Sequence, residues 1–153
     1  MTNQIIPQAE PSANGQPILF NHLESDSEIA IGGAALLDDH LYTLLSTAFR
    51  GSRKVQDEVI GTYGRRKSIA YFVGLISHSK YHDLCTIGTI RNRFAHDVPR
   101  PSFESQGIAD RCRWLSTWTD GQENRATFVK AVYRLSERLN RKLAGVKRVR
   151  RTD

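Results

Sequence analysis

Between Ile29 and Phe49 small and apolar residues recur with a helical period. Wound at 100° per residue, Ala30, Gly33, Ala34, Leu37, Leu41, Leu44, Leu45 and Ala48 fall on one broad face. A stripe that wide has to be covered by other elements. The remaining chain offers no alternating runs that could pair as strands, so the covering elements are predicted to be helices. Gly33 and Ala34 leave room for a second helix to approach closely, and Asp38 and His40 sit at the two rims with Asp39 pointing outward.

The helices on either side follow from their own punctuation. Ser25 and Ser27, with Asp26 and Glu28, supply cap and first-turn acids for the 29–49 helix. Gly51-Ser52 breaks it, and Ser52 opens a short helix over 55–60 that Gly61 and Gly64 end. The run from Ser68 to Ile76 is apolar nearly all round and is read as a buried helix, because no partner strand is available. Ser77 or Ser79 then caps a helix that runs to His96, with Pro99 and Pro101 beyond its end. Ile108, Ala109, Cys112, Leu115 and Trp118 define a further helix, and Asp120-Gly121 a turn. The last helix, about 123–144, carries Phe128, Val132, Leu135 and Leu139 on one face and Lys130, Arg134, Arg138 and Arg141 on another. The fold class is all-α, a compact bundle of five to six helices. Residues 1–17, with three prolines and no apolar period, read as a flexible arm, 18–145 as a single helical domain that Ile18, Leu19 and Phe20 open, and 146–153 as a basic tail.

Composition narrows the function classes. At 39% hydrophobic and 25% charged residues the chain suits a water-soluble globule. No apolar run nears the ~18 residues that span a bilayer, and the N-terminus lacks the basic and long apolar regions of a secretory leader. The cytoplasm is therefore the expected compartment, without membrane association. Cys85 and Cys112 are too few and too far apart for a disulfide framework or a zinc site, and His78 and His82 lack a third ligand, so no metal and no cofactor is expected. Of the net charge of +6, half lies in the last nine residues, where Lys147, Arg148, Arg150 and Arg151 face a single acid. Those four side chains would attract nucleic-acid phosphates without reading sequence.

The segment Arg91-Asn92-Arg93-Phe94-Ala95-His96 concentrates the remaining chemistry. On an ideal helix Arg91 falls within the stripe of Leu84, Ile87, Phe94 and Ala95, Asn92 and His96 share its edge, and Arg93 points away. An inward-facing guanidinium has to be paired, which makes Asp38 or Asp39 the expected partner of a structural ion pair with Arg91. Asn92 and His96 would then tie the helix end to the Pro99 loop.

Glu24-Ser25-Asp26, Ala35-Leu36-Leu37-Asp38-Asp39, Gly74-Leu75-Ile76-Ser77 and the 91–96 hexapeptide, with Leu41, Leu44, Leu45, Tyr71, Tyr81, Leu84, Ile87 and Ile90, resemble the mannitol operon repressor family over about 22–115. The resemblance implies a compact helical bundle and a regulator of transcription; the candidate recognition helices are too apolar to lie in a groove, so such a regulator is expected to work mainly through a regulatory protein partner. Direct reading of DNA sequence is not implied. Tyr63-Gly64-Arg65-Arg66-Lys67 departs from the family's usual entry to the third helix. The hexapeptide is also similar to the Arg-polar-x-x-x-His motif of the HEPN superfamily, helical bundles that often form homodimers and include metal-independent ribonucleases. That similarity implies an alternative in which His96 takes the proton of a ribose 2′-hydroxyl, Arg91 steadies the crowded phosphate and Asn92 orients one of them. Arg91 and His96 lie about 140° apart on a straight helix, so convergence needs a frayed helix end or a second copy. Trp114 and Trp118 are read as core residues, or as interface anchors where exposed.

Overall fold

The computed structural model describes residues 25–49 and 51–150, the last three by their backbone alone. Among these residues there are six helices and no strands: α1 (Asp26–Ala48), α2 (Arg53–Ile60), α3 (Tyr63–Phe72), α4 (His78–His96), α5 (Gln106–Cys112) and α6 (Asn124–Arg150). None is long and apolar enough to cross a membrane. The 1–17 arm, the 18–20 patch and Arg151 lie outside the described residues.

Helix α1 is the central element. Ser25 begins it with a capping box, in which the Ser25 hydroxyl accepts from the Glu28 N–H and the Glu28 carboxylate accepts from the Ser25 N–H. Its buried residues, Ile29, Ala30, Gly33, Ala34, Leu37, Leu41, Leu44 and Leu45, are the expected face with Ile29 added and Ala48 at its margin. Helix α6 makes the most extensive contact with it. The two run parallel, since Asp26 meets Arg125, Gly33 meets Phe128 and Val132, and His40 meets Ser136. A Cβ on Gly33 would stand 3.1 Å from Val132 and 3.2 Å from Phe128, so the glycine sets how closely these helices pack.

Helices α3 and α4 form an antiparallel hairpin that packs on α1, with α4 also touching α6. Tyr71 stacks on Tyr81 at the turn, while Tyr63, the first residue of α3, donates to the Leu84 carbonyl (2.7 Å) and lies against Gly88. The 68–76 run departs from the fully buried helix predicted for it. The helix stops at Phe72, and Gly74 takes φ +76° so that the Leu75 N–H reaches the Ala70 carbonyl and the Gly74 N–H the Tyr71 carbonyl. Only Ala70 of α3 is buried, and Phe72 at the tip is 89% exposed. Two other boundaries moved: α5 closes at Cys112, leaving Leu115 and Trp118 outside any helix, and α6 continues to Arg150. At the far end of the bundle Phe94, Phe103 and Phe128 stack in a tilted series where α4, the 97–105 loop and α6 converge.

Candidate functional site

Helix α4 buries Leu84, Ile87, Ile90 and Phe94, together with Asp83 and Thr86. Arg91, Asn92 and His96 are all exposed. The inward-facing Arg91 is therefore corrected, and the reason is the length of its neighbour. Helix α3 covers that flank of α4 only as far as Gly88, where Tyr63 begins it, and one turn later Arg91 has nothing over it. Arg91 donates to Asn92 Oδ1 at 2.9 Å rather than to Asp38 or Asp39.

The ion pair expected for Arg91 belongs to Arg66. Its Nη1 donates to Asp38 Oδ1 at 2.6 Å, its Nε donates to the Ile60 carbonyl at 2.7 Å, and its guanidinium lies 5.0 Å from the centre of the Tyr42 ring. With only 16% of its side chain exposed, Arg66 ties α1, the end of α2 and α3 together. Asp39 stays at the surface. No local spacing marked this pair, because its members stand 28 positions apart on different helices.

Arg93, expected to point away, instead leans into the bundle's end. Its Nη1 lies 2.6 Å from where a Cβ on Gly107 would stand, so the guanidinium passes directly over the Gly107 backbone. Asp97 Oδ2 is 3.7 Å from the same nitrogen. Arg93, His96, Asp97, Arg100 and Ser105 line an open cleft of about 530 Å3 that Arg91 and Asn92 do not reach. The structure thus keeps Arg91 with Asn92 and sets His96 beside Arg93. The helix end is closed by the Asp97 N–H on the Arg93 carbonyl, a task that had been expected of Asn92 and His96.

One polar residue of α4 was not anticipated. Asp83 is 4% exposed, yet it is satisfied: Oδ1 accepts from the Ser116 N–H at 2.9 Å and Oδ2 from the Ser116 hydroxyl. Its carboxylate pins the segment after α5 across α4, and next to it Thr117 donates to the Thr127 carbonyl of α6. Among other titratable groups, burial holds the His40 imidazole below its ordinary value, with Asp39 opposing. Burial raises the Tyr63 phenol, with Cys85 and Asp38 adding, and pushes the Cys112 thiol up to about 12, with Glu104 adding. Among the described residues no group of three or more His, Cys, Asp or Glu is placed to hold a metal ion.

Of the predicted phosphate-binding residues, Lys147 is exposed on α6. Arg148 and Arg150 belong to the same helix, but their side chains and all of Arg151 lie outside the described residues. Trp114 is 61% exposed, with the Arg111 guanidinium 6.0 Å from its ring centre, and Trp118 is half-buried.

The fold and these surfaces define an all-α bundle with exposed basic and aromatic groups. In comparisons with known proteins, no family model, no curated protein and no solved structure matches the chain.

Proposed function

We propose that this chain is a transcriptional regulator of the mannitol-repressor type, working in the cytoplasm mainly through a protein partner. The observation that carries the reading is the α3–α4 turn, where Tyr71, Phe72 and Val73 form the one run of three consecutive exposed large apolar side chains among the described residues, the others, such as Val98 and Trp114, being exposed without such neighbours in the chain. An exposed aromatic tip on a rigid hairpin is where a partner protein would gain most from contact. The hairpin's geometry is consistent with indirect action. Contacts at both ends of α3 keep it alongside α4, whereas a helix-turn-helix holds its two helices at about 90–120° so that the second can enter a groove. The test pairs a reporter driven by the promoter of a mannitol-utilisation operon with binding to the same DNA. Phe72→Asp is expected to abolish regulation while the helical circular dichroism is unchanged, and purified wild type is expected to show no preference for that promoter near 0.15 M salt. Tight, selective binding by the purified protein refutes the indirect route.

A second reading, a HEPN-like endoribonuclease, is favoured by one observation: Arg91, Asn92 and His96 are all open to solvent instead of being used up in packing. Because α4 stays helical through His96, Arg91 and His96 diverge within one chain, and a homodimer would have to bring two motifs together. This reading expects RNA cleavage in EDTA, leaving 2′,3′-cyclic phosphate ends, that His96→Ala removes. Equal cleavage by both proteins eliminates it.

A further inference from the structure

The cations of α6 are not spread evenly round the helix. Lys130, Arg134, Arg138 and Lys142 follow one another at intervals of four. At 1.5 Å per residue the row is about 18 Å long, and each step advances it by about 40°, so it slants across the helix surface. Its later members meet α4: Arg138, Arg141 and Lys142 share an open groove of about 280 Å3 with Lys80, floored by Leu75 and Ile76.

Negative charge is scarce there. Helices α4 and α6 contain one acid each, Asp83 and Glu137. Asp83 is buried and occupied by Ser116. Glu137 lies 3.5 Å from Arg141 in an exposed pair, which a stronger anion displaces readily. Among the described residues of α4 and α6 the groove's cations thus have one accessible acid beside them, Glu137.

We propose that this groove, with Lys130 and Arg134 extending it along α6, binds the phosphate backbone of double-stranded DNA without reading its sequence. One strand of a duplex carries about five phosphates over ~18 Å of axis at 3.4 Å each, so a slanting row of this length, turning about 120° round α6, can meet several of them along a curved backbone. Guanidinium and ammonium groups on a helix are already spaced before the ligand arrives. Lys147, nine residues from Arg138, stands about 180° away on the opposite side of α6 and is separate from the groove. The inference does not depend on a protein partner, so its failure and the failure of the partner-mediated reading can be told apart.

The test measures fluorescence anisotropy of a labelled 20-base-pair duplex of arbitrary sequence with the full chain between 50 and 200 mM NaCl. About four phosphate contacts give a slope of log K against log salt near −3.6, a loss of roughly 150-fold over that range. Arg138→Glu combined with Lys142→Glu is expected to weaken binding at 50 mM at least tenfold, and Arg138→Gln with Lys142→Gln, the milder pair, to reduce the slope by about 2. Helical circular dichroism monitors folding, and the Gln pair decides the outcome if the Glu pair misfolds. Three results overturn the proposal: unchanged affinity and slope in the groove variants, loss of binding in Lys147→Glu with Arg150→Glu but not in the groove variants, or equally tight binding of a single strand of the same length.

Discussion

Replacing Asp83 tests how the segment after α5 is held. The carboxylate is 4% exposed and accepts two hydrogen bonds, both from Ser116. A hydrogen bond to a charged group contributes about 1.5–3 kcal/mol. Asp83→Ala loses both bonds, worth ~3–6 kcal/mol together, but Ser116 is exposed and its freed donors turn to water, and the cost of burying a charge is removed as well, so a net loss of about 3 kcal/mol is expected. Asp83→Asn keeps an oxygen for the Ser116 N–H and loses the charge assistance, for about half that effect. For the roughly 125 residues described here, an unfolding entropy of about 2.1 cal/mol/K per residue makes 1 kcal/mol worth ~4 °C. Asp83→Ala should therefore melt ~12 °C lower and Asp83→Asn ~6 °C lower, read by circular dichroism and checked by urea titration at constant m. The reasoning is refuted if Asp83→Ala melts within 3 °C of wild type, or if Asn proves as damaging as Ala.

Four other substitutions probe the same frame. Arg66→Ala should cost about 2 kcal/mol, discounted for the partial exposure of Asp38, and Arg91→Ala less than about 0.5 kcal/mol; urea midpoints in the reverse order would restore the inward arginine to α4. In Gly88→Ala the new Cβ would stand 2.8 Å from the Tyr63 ring, which its bond to the Leu84 carbonyl holds in place. Overpacking of about 1–3 kcal/mol should outweigh the ~1 kcal/mol that alanine gains in a helix, and a more stable variant would show that Tyr63 can move. Because burial depresses His40, the folded state binds fewer protons there than the unfolded chain. His40 thus contributes stability in full above its ordinary value of 6.5, and that contribution is lost as pH falls through the lower folded value. Urea midpoints measured from pH 8 to pH 5 should fall less steeply in His40→Gln than in wild type.

The helices were legible because their signals are local. The cap at Ser25, the apolar period of α1 and the Phe128–Leu139 row of α6 involve residues within a turn or two of one another, and each appears in the structure as its spacing predicts. The end of α3 was equally local. Gly74, which closes it, stood within the run read as buried, but the apolar content of that run outweighed it.

The side-chain partnerships were not legible, and α4 shows why. On a wheel Arg91 falls between Leu84 and Ile87, yet whether that flank is covered depends on where α3 starts. Arg66 meets Asp38 across 28 positions, and Asp83 meets Ser116 across 33. Spacing along one helix fixes the angle of a side chain about that helix's own axis. Which angles face another element is decided by the lengths and offsets of the neighbours.

From its sequence alone this chain was committed to helices, to a broad stripe on α1 that only other helices could cover, and to a surplus of positive charge. Tertiary structure alone determined that the half-buried guanidinium would be Arg66, that Arg91 and His96 would face different surroundings, and that the cations of α6 would line up beside Lys80. The physical reason is that burial and charge complementarity belong to pairs of surfaces, and no single helix contains both members of a pair.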